Sequence, residues 1–187
     1  MNDENFDEFE EEDAELPPIP KELYSEYEER PFRSCTRCGE SLAEFEEGYK
    51  ISKVYKNGET IFEYALCFHC LEGMMEDSSE ESRERLMQFQ IERMREGVEG
   101  LEDCALCENT RDSLDKPEFA LVAGCQGAGV LESHMICIHC MEEMSELVSK
   151  KTRDSWNRFV EENFPGVPAD FVPLPSGGTP SPTPVLF

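Results

Sequence analysis

Positive charge is scarce in this sequence: 17 Lys and Arg stand against 42 Asp and Glu in 187 residues, a formal net charge of −25. Sequence-independent binding to a phosphate backbone needs a basic surface, so direct nucleic-acid binding is not expected. There is no run of about eighteen apolar residues, which argues against a membrane-spanning helix and a membrane partner. The opening Met1-Asn2-Asp3-Glu4-Asn5-Phe6 has neither the basic start nor the apolar stretch of a secretory signal, so a cytoplasmic location is expected. Also missing are a glycine-rich phosphate loop, a G-x-S-x-G elbow and an H-E-x-x-H helix. No catalytic constellation remains, and a non-enzymatic protein is expected.

Cysteine, by contrast, is plentiful. The chain has nine, an odd number with no export signal, and eight fall in four C-x-x-C pairs: Cys35/Cys38, Cys67/Cys70, Cys104/Cys107 and Cys137/Cys140. That pattern favours metal over a disulfide scaffold. Two sites of four thiolates each, Cys35/Cys38/Cys67/Cys70 and Cys104/Cys107/Cys137/Cys140, would suit two structural zinc ions per chain. Such closed sites have no open position for water or substrate. Rubredoxin-like iron is the competing metal, suggested by Gly39 after Cys38. The later pairs, however, run into helix-forming Leu71 and Met141, where a rubredoxin knuckle would continue with glycine.

The sequence repeats itself, and the repeat extends beyond the cysteines. Ser82-Arg83-Glu84-Arg85-Leu86-Met87-Gln88-Phe89 corresponds to Thr152-Arg153-Asp154-Ser155-Trp156-Asn157-Arg158-Phe159. Between the cysteine pairs of the first copy, alternating residues over 49–55 and 59–66 flank Asn57-Gly58, a strong hairpin signal. In the second copy, 119–123 and 130–136 flank a glycine-rich tip at 124–129, which would carry Cys125. After each second pair the period becomes helical. Leu71, Met74 and Met75 in one copy and Met141, Met144, Leu147 and Val148 in the other are expected in the core. Ser82 and Thr152 are expected to cap a second helix in each copy, bearing Leu86, Phe89 and Met94 in one and Trp156, Phe159 and Val160 in the other.

The expected fold class is therefore α+β: two small tandem zinc modules, each of knuckle, β-hairpin and helix. Cys35-Thr36-Arg37-Cys38-Gly39, the hairpin, and Leu66-Cys67-Phe68-His69-Cys70-Leu71 resemble a treble-clef zinc finger, and in particular the N-terminal zinc-binding domain of ClpX-type unfoldases. The resemblance covers about forty residues of each repeat. It implies a role in recruiting adaptors or substrates, and in that family also dimerisation. The spacer here is longer and no ATP-binding loop follows, so only the recruiting role would carry over.

Four segments result: an acidic tail (1–19), a first module (20–98), a second module (99–164) and a Pro-rich tail (165–187). Both tails are expected to be disordered. A short helix over Lys21–Arg30, bearing Leu23, Tyr24 and Tyr27, is expected behind Pro20. His69 and His139 could each replace a neighbouring Cys, but a role tuning the site from beside it fits their place better. His134 is expected at the surface or half-buried, and Cys125 as an ordinary thiol. The expected function is protein binding, as an adaptor, inhibitor or recruitment factor with a partner of basic character. A zinc-thiol redox switch and an acidic nucleic-acid mimic that binds a basic protein are the alternatives.

Overall fold

The computed structural model describes residues 16–44, 46–98, 100–115 and 117–166. The acidic segment 1–15 and the Pro-rich segment from 167 lie outside the described residues, so the disorder expected of the tails is untested. In the first repeat, strands β1 (Tyr49–Lys56) and β2 (Glu59–Cys67) form a hairpin, followed by helices α1 (Phe68–Asp77) and α2 (Glu80–Arg93). The second repeat adds β3 (Gly100–Cys104), the hairpin β4 (Glu118–Gln126) and β5 (Gly129–Cys137), then α3 (Ile138–Glu146) and α4 (Lys150–Asn163). Counterpart positions in β2 and β5 differ by 70 in residue number, as do the starts of α1 and α3 and of α2 and α4.

Both hairpins turn on two residues. Asn57 and Gly58 have φ of 53° and 83°, as a type I′ turn requires. The second tip is Gly127-Ala128, tighter than the glycine-rich stretch suggests. Gly124 and Cys125 pair inside the sheet with Glu132 and Val130. Cys125 is thus a fully buried residue of β4, and not a tip residue. A β-bulge falls between Val54 and Tyr55 in one hairpin and between Gly124 and Cys125 in the other, at counterpart positions.

The two repeats share one sheet. β1 pairs antiparallel with β4, giving the order β2-β1-β4-β5-β3. In that pairing Ser52 lies opposite Val122, its own counterpart. Pairing like with like is the mark of a local twofold axis, so the chain is built as two copies facing each other. A lone two-stranded hairpin is marginal in water, and the shared seam buries Ile51, Val54, Ala120, Leu121 and Ala123. Gly48 helps the hairpins approach. Its φ is 93°, and a Cβ there would lie 2.5 Å from the Cys125 carbonyl oxygen.

A helix of the second repeat, α4, packs on the hairpin of the first. Phe62 and Tyr64 of β2 pack against Trp156 of α4 with ring centroids 6.4 and 5.9 Å apart, and Phe164, just past α4, lies 4.4 Å from Phe62. Edge-to-face aromatic pairs of this kind add about 0.5–1.5 kcal/mol beyond burial. The N-caps of α2 and α4 are Ser79 and Ser149, three residues earlier than the sequence suggests. Ser82 and Thr152 sit in the first turn instead, and their side chains are buried.

The helix expected over Lys21–Arg30 is reduced to a single 3-10 turn, Lys21–Leu23. The chain then folds back, with Ser25 bridging Arg30 and Glu29 at a φ of 52°. The Ser25 hydroxyl and the Glu26 N–H both donate to the Glu63 carboxylate. Pro17 and Ile19 are not loose: the Pro17 carbonyl accepts from Val130 N–H at 2.8 Å, and Ile19 is buried. One asymmetry remains at the sheet edges. β3 covers the outside of β5, with Gly100 paired to His134, whereas among the described residues β2 is an edge. Counting back from the first cysteine of each repeat, Pro31 stands where Gly100 does, and proline has no N–H for such a ladder.

Candidate metal centres

Each centre is assembled from a turn and a strand-to-helix junction. In the first knuckle, Cys35 N–H donates to the Glu40 carbonyl and Gly39 N–H to the Cys35 carbonyl, both at 2.8 Å. Gly39 takes a φ of 75°, which favours glycine. The second knuckle closes likewise, Cys104 N–H donating to the Asn109 carbonyl at 2.8 Å. Cys67 and Cys137 end their strands and act as N-caps of α1 and α3, so Cys70 and Cys140 lie in the first helical turn. Backbone amides point at the sulfurs. Cys67 N–H donates to Cys35 Sγ at 3.5 Å, Cys70 N–H to Cys67 Sγ at 3.4 Å, and Cys137 N–H to Cys104 Sγ at 3.4 Å.

The result is two groups of four sulfurs, Cys35/Cys38/Cys67/Cys70 and Cys104/Cys107/Cys137/Cys140. Within each group the ligand atoms lie within 4.8 Å of one another. All nine cysteines are free thiols. Each cluster can hold a metal ion, and the all-sulfur donor set suits a soft or borderline cation. Electrostatics point the same way. Burial, followed by the neighbouring sulfurs, pushes Cys70 up, and burial pushes Cys67 and Cys107 to about 11. Hydrogen bonds from Cys104 and Cys140 instead pull Cys137 down. Four crowded sulfurs cannot all ionise unaided; a bound cation would reverse that penalty and release the protons.

The histidines stand outside both clusters. His69 and His139 are exposed. His134 is buried rather than superficial, its Nε2 lying 3.8 Å from the Glu132 carboxylate. Cys125 is pushed up to about 12 by burial, which leaves it a protonated, inert thiol at neutral pH.

Several residues that shape the centres carry no motif. Arg37 Nη1 donates to the Cys70 carbonyl at 3.1 Å, tying knuckle to helix. Arg95 Nη1 reaches the carbonyls of Cys104 and Cys107 at 3.3 and 2.8 Å. Asn109 Nδ2 donates to Cys137 Sγ at 3.6 Å. Arg95 lies beyond α2 in what reads as linker sequence; only the fold brings it to the second knuckle. The positions of Glu40 and Asn109, five residues after the first cysteine of each repeat, were the one available signal.

Fold and site together define a tandem four-cysteine metal-binding protein of mixed α and β structure. Comparison with protein-family models, curated proteins and solved structures gave no match. No helix among the described residues is long and apolar enough to cross a membrane.

Proposed function

We propose that this protein is a zinc-stabilised interaction module, non-enzymatic, that binds a partner protein of basic character. The observation that carries this reading is the pair of four-sulfur clusters within a single sheet. Four protein ligands fill a tetrahedral zinc, so each ion would hold the fold and would have no position left for substrate. Zinc is favoured over iron because Cys67 and Cys137 are the N-caps of helices and Cys70 and Cys140 run on into Leu71 and Met141, where a rubredoxin knuckle would continue with glycine.

The surface supports the choice of partner. Tyr27 is 94% exposed and Ile91 65%, while Met87 and Leu131 are each 47% exposed. Met87 and Ile91 lie one turn apart on α2, yet their counterparts on α4 are the polar Asn157 and Glu161. An apolar pair on only one of two equivalent helices is not required by the fold. Set in a chain of net charge −25, it suits a partner that brings apolar contacts within a basic rim.

The test has two arms. Native mass spectrometry of protein purified without chelator is expected to find two zinc ions per chain. Affinity capture with the full chain is expected to enrich basic proteins, and Met87→Asp with Ile91→Asp should lose them while the zinc content stays at two. Iron or an empty chain would overturn the zinc reading. An unchanged catch by the double variant would overturn the interaction surface.

A further inference from the structure

The two centres share a fold but not their surroundings. In the first, Cys35 and Cys67 are 1% exposed and Cys70 is 8% exposed, but Cys38 is open to solvent. In the second, Cys104 and Cys137 are wholly covered, Cys140 is 1% exposed, and Cys107 is half-buried. The residues between the knuckle cysteines differ in the same direction. Ala105 and Leu106 are buried at 0% and 2%, whereas Thr36 is half-buried and Arg37 exposed.

Neighbouring charges separate the centres further. Glu40 and Asn109 are counterparts, since each offers its backbone carbonyl to the first cysteine of its knuckle. The Asn109 amide donates to a ligand sulfur, Cys137 Sγ. The Glu40 carboxylate instead lies 4.0 Å from Cys38 Sγ. An N–H beside a thiolate stabilises its negative charge; a carboxylate there opposes it. The second knuckle is also clamped by Arg95 at both cysteine carbonyls and lies against β5 through β3. The first knuckle has no strand equivalent to β3 among the described residues. It meets β2 through Thr36, which exchanges hydrogen bonds with the Ala65 backbone, and through Cys35 Sγ, which accepts from Cys67 N–H, while Arg37 reaches a single cysteine carbonyl, that of Cys70.

We infer that the first centre is the exchangeable one, releasing and accepting its metal through Cys38, while the second is held for the life of the fold. This rests on the zinc reading above. The chain then carries a metal-responsive end on a permanently folded scaffold, and the state of the first knuckle can follow the availability of free zinc. No covalent or redox step is needed, because the exposed sulfur is where a competing ligand can attack first.

The experiment uses the full chain loaded with zinc and challenged with EDTA and N-ethylmaleimide, the modified peptides being read by mass spectrometry over time. Cys35, Cys38, Cys67 and Cys70 are expected to react at least about tenfold faster than Cys104, Cys107, Cys137 and Cys140, in line with the tenfold and larger effects of residues around metal ligands. Buried Cys125 is the internal control and stays unmodified while the first centre opens. Glu40→Asn should slow the first set, and Asn109→Glu should hasten the second. Equal rates, a second centre that opens first, or labelling of Cys125 in step with Cys38 would overturn the inference while leaving the zinc reading intact. A chain that binds no zinc, or whose eight cysteines react without EDTA, would overturn both.

Discussion

The Ser82 hydroxyl accepts a hydrogen bond from the backbone N–H of Ser149 at 2.8 Å, and Thr152 Oγ1 accepts from Ser79 N–H at 2.9 Å. In an ordinary capping box the residue three positions into a helix satisfies the N-cap amide of its own helix. Here each helix satisfies the other's. The two capping hydroxyls, Ser79 Oγ and Ser149 Oγ, are themselves 2.8 Å apart, and Ser82 and Thr152 join at 3.0 Å. Four hydroxyls thus lock α2 to α4.

Removing one member strands an N–H of half-buried Ser79 or Ser149. Ser82→Ala should cost about 1 kcal/mol, as should Thr152→Val, the lower end of the range for a donor left without a partner, since these donors are half-buried. The double variant should fall short of the sum, because the two hydroxyls share one network. Urea unfolding of the three proteins measures this.

Stripping both metals should unfold the chain as one unit. β1 and β4 share a ladder, and α4 covers β2, so neither repeat retains a complete core without the other. Calorimetry of the metal-loaded protein should show a single transition. Cys38→Ser should lower its midpoint for the whole molecule, not just for the first repeat. Two resolved transitions would count against the shared core.

Trp156 is the only tryptophan, and it packs on Phe62 and Tyr64 of the opposite repeat. Trp156→Ala should cost about 3–5 kcal/mol, the usual range for emptying a buried aromatic site. In the native chain its fluorescence should shift red when unfolding begins in either repeat. Denaturation followed by tryptophan emission and by far-UV dichroism should therefore coincide.

Lys50 gives the pH dependence. Burial lowers it to about 8, with Glu132 opposing the shift, and its Nζ has no hydrogen-bond partner among the described residues. In the unfolded chain the group titrates near 10.4. Between about pH 8 and 10.4 the unfolded chain therefore binds more protons, and the Lys50 contribution to stability rises with pH. Below about 8 both forms are charged and the penalty is constant. Lys50→Met should be more stable than the native chain at pH 7, with the gap closing by pH 10. A gap independent of pH would refute the assignment.

The covering of Lys50 illustrates what was beyond sequence pattern. Lys50, Gly124 and Glu132 form one row across three strands, a row whose counterpart is Ala120, Val54 and Phe62. Because Gly124 has no side chain, nothing from the middle strand stands between lysine and glutamate. The β1–β4 register that creates this row joins residues roughly seventy apart, and no local signal specifies it.

By itself the sequence determined what depends on near neighbours. The four cysteine pairs, the presence of both hairpins, the Asn57-Gly58 turn of the first, the helices that follow and the apolar positions along them all follow from spacing and local conformational preference. The eight clustered cysteines are those the spacing groups together. The tertiary structure alone decided the fusion of two repeats into one sheet, the packing of α4 on β2, and the position of Cys125 inside β4. It likewise placed Arg95 and Asn109 against one centre and Glu40 beside an open sulfur at the other. The reason is that a repeated sequence specifies each half almost identically, whereas the contacts between halves depend on how two incomplete cores cover each other.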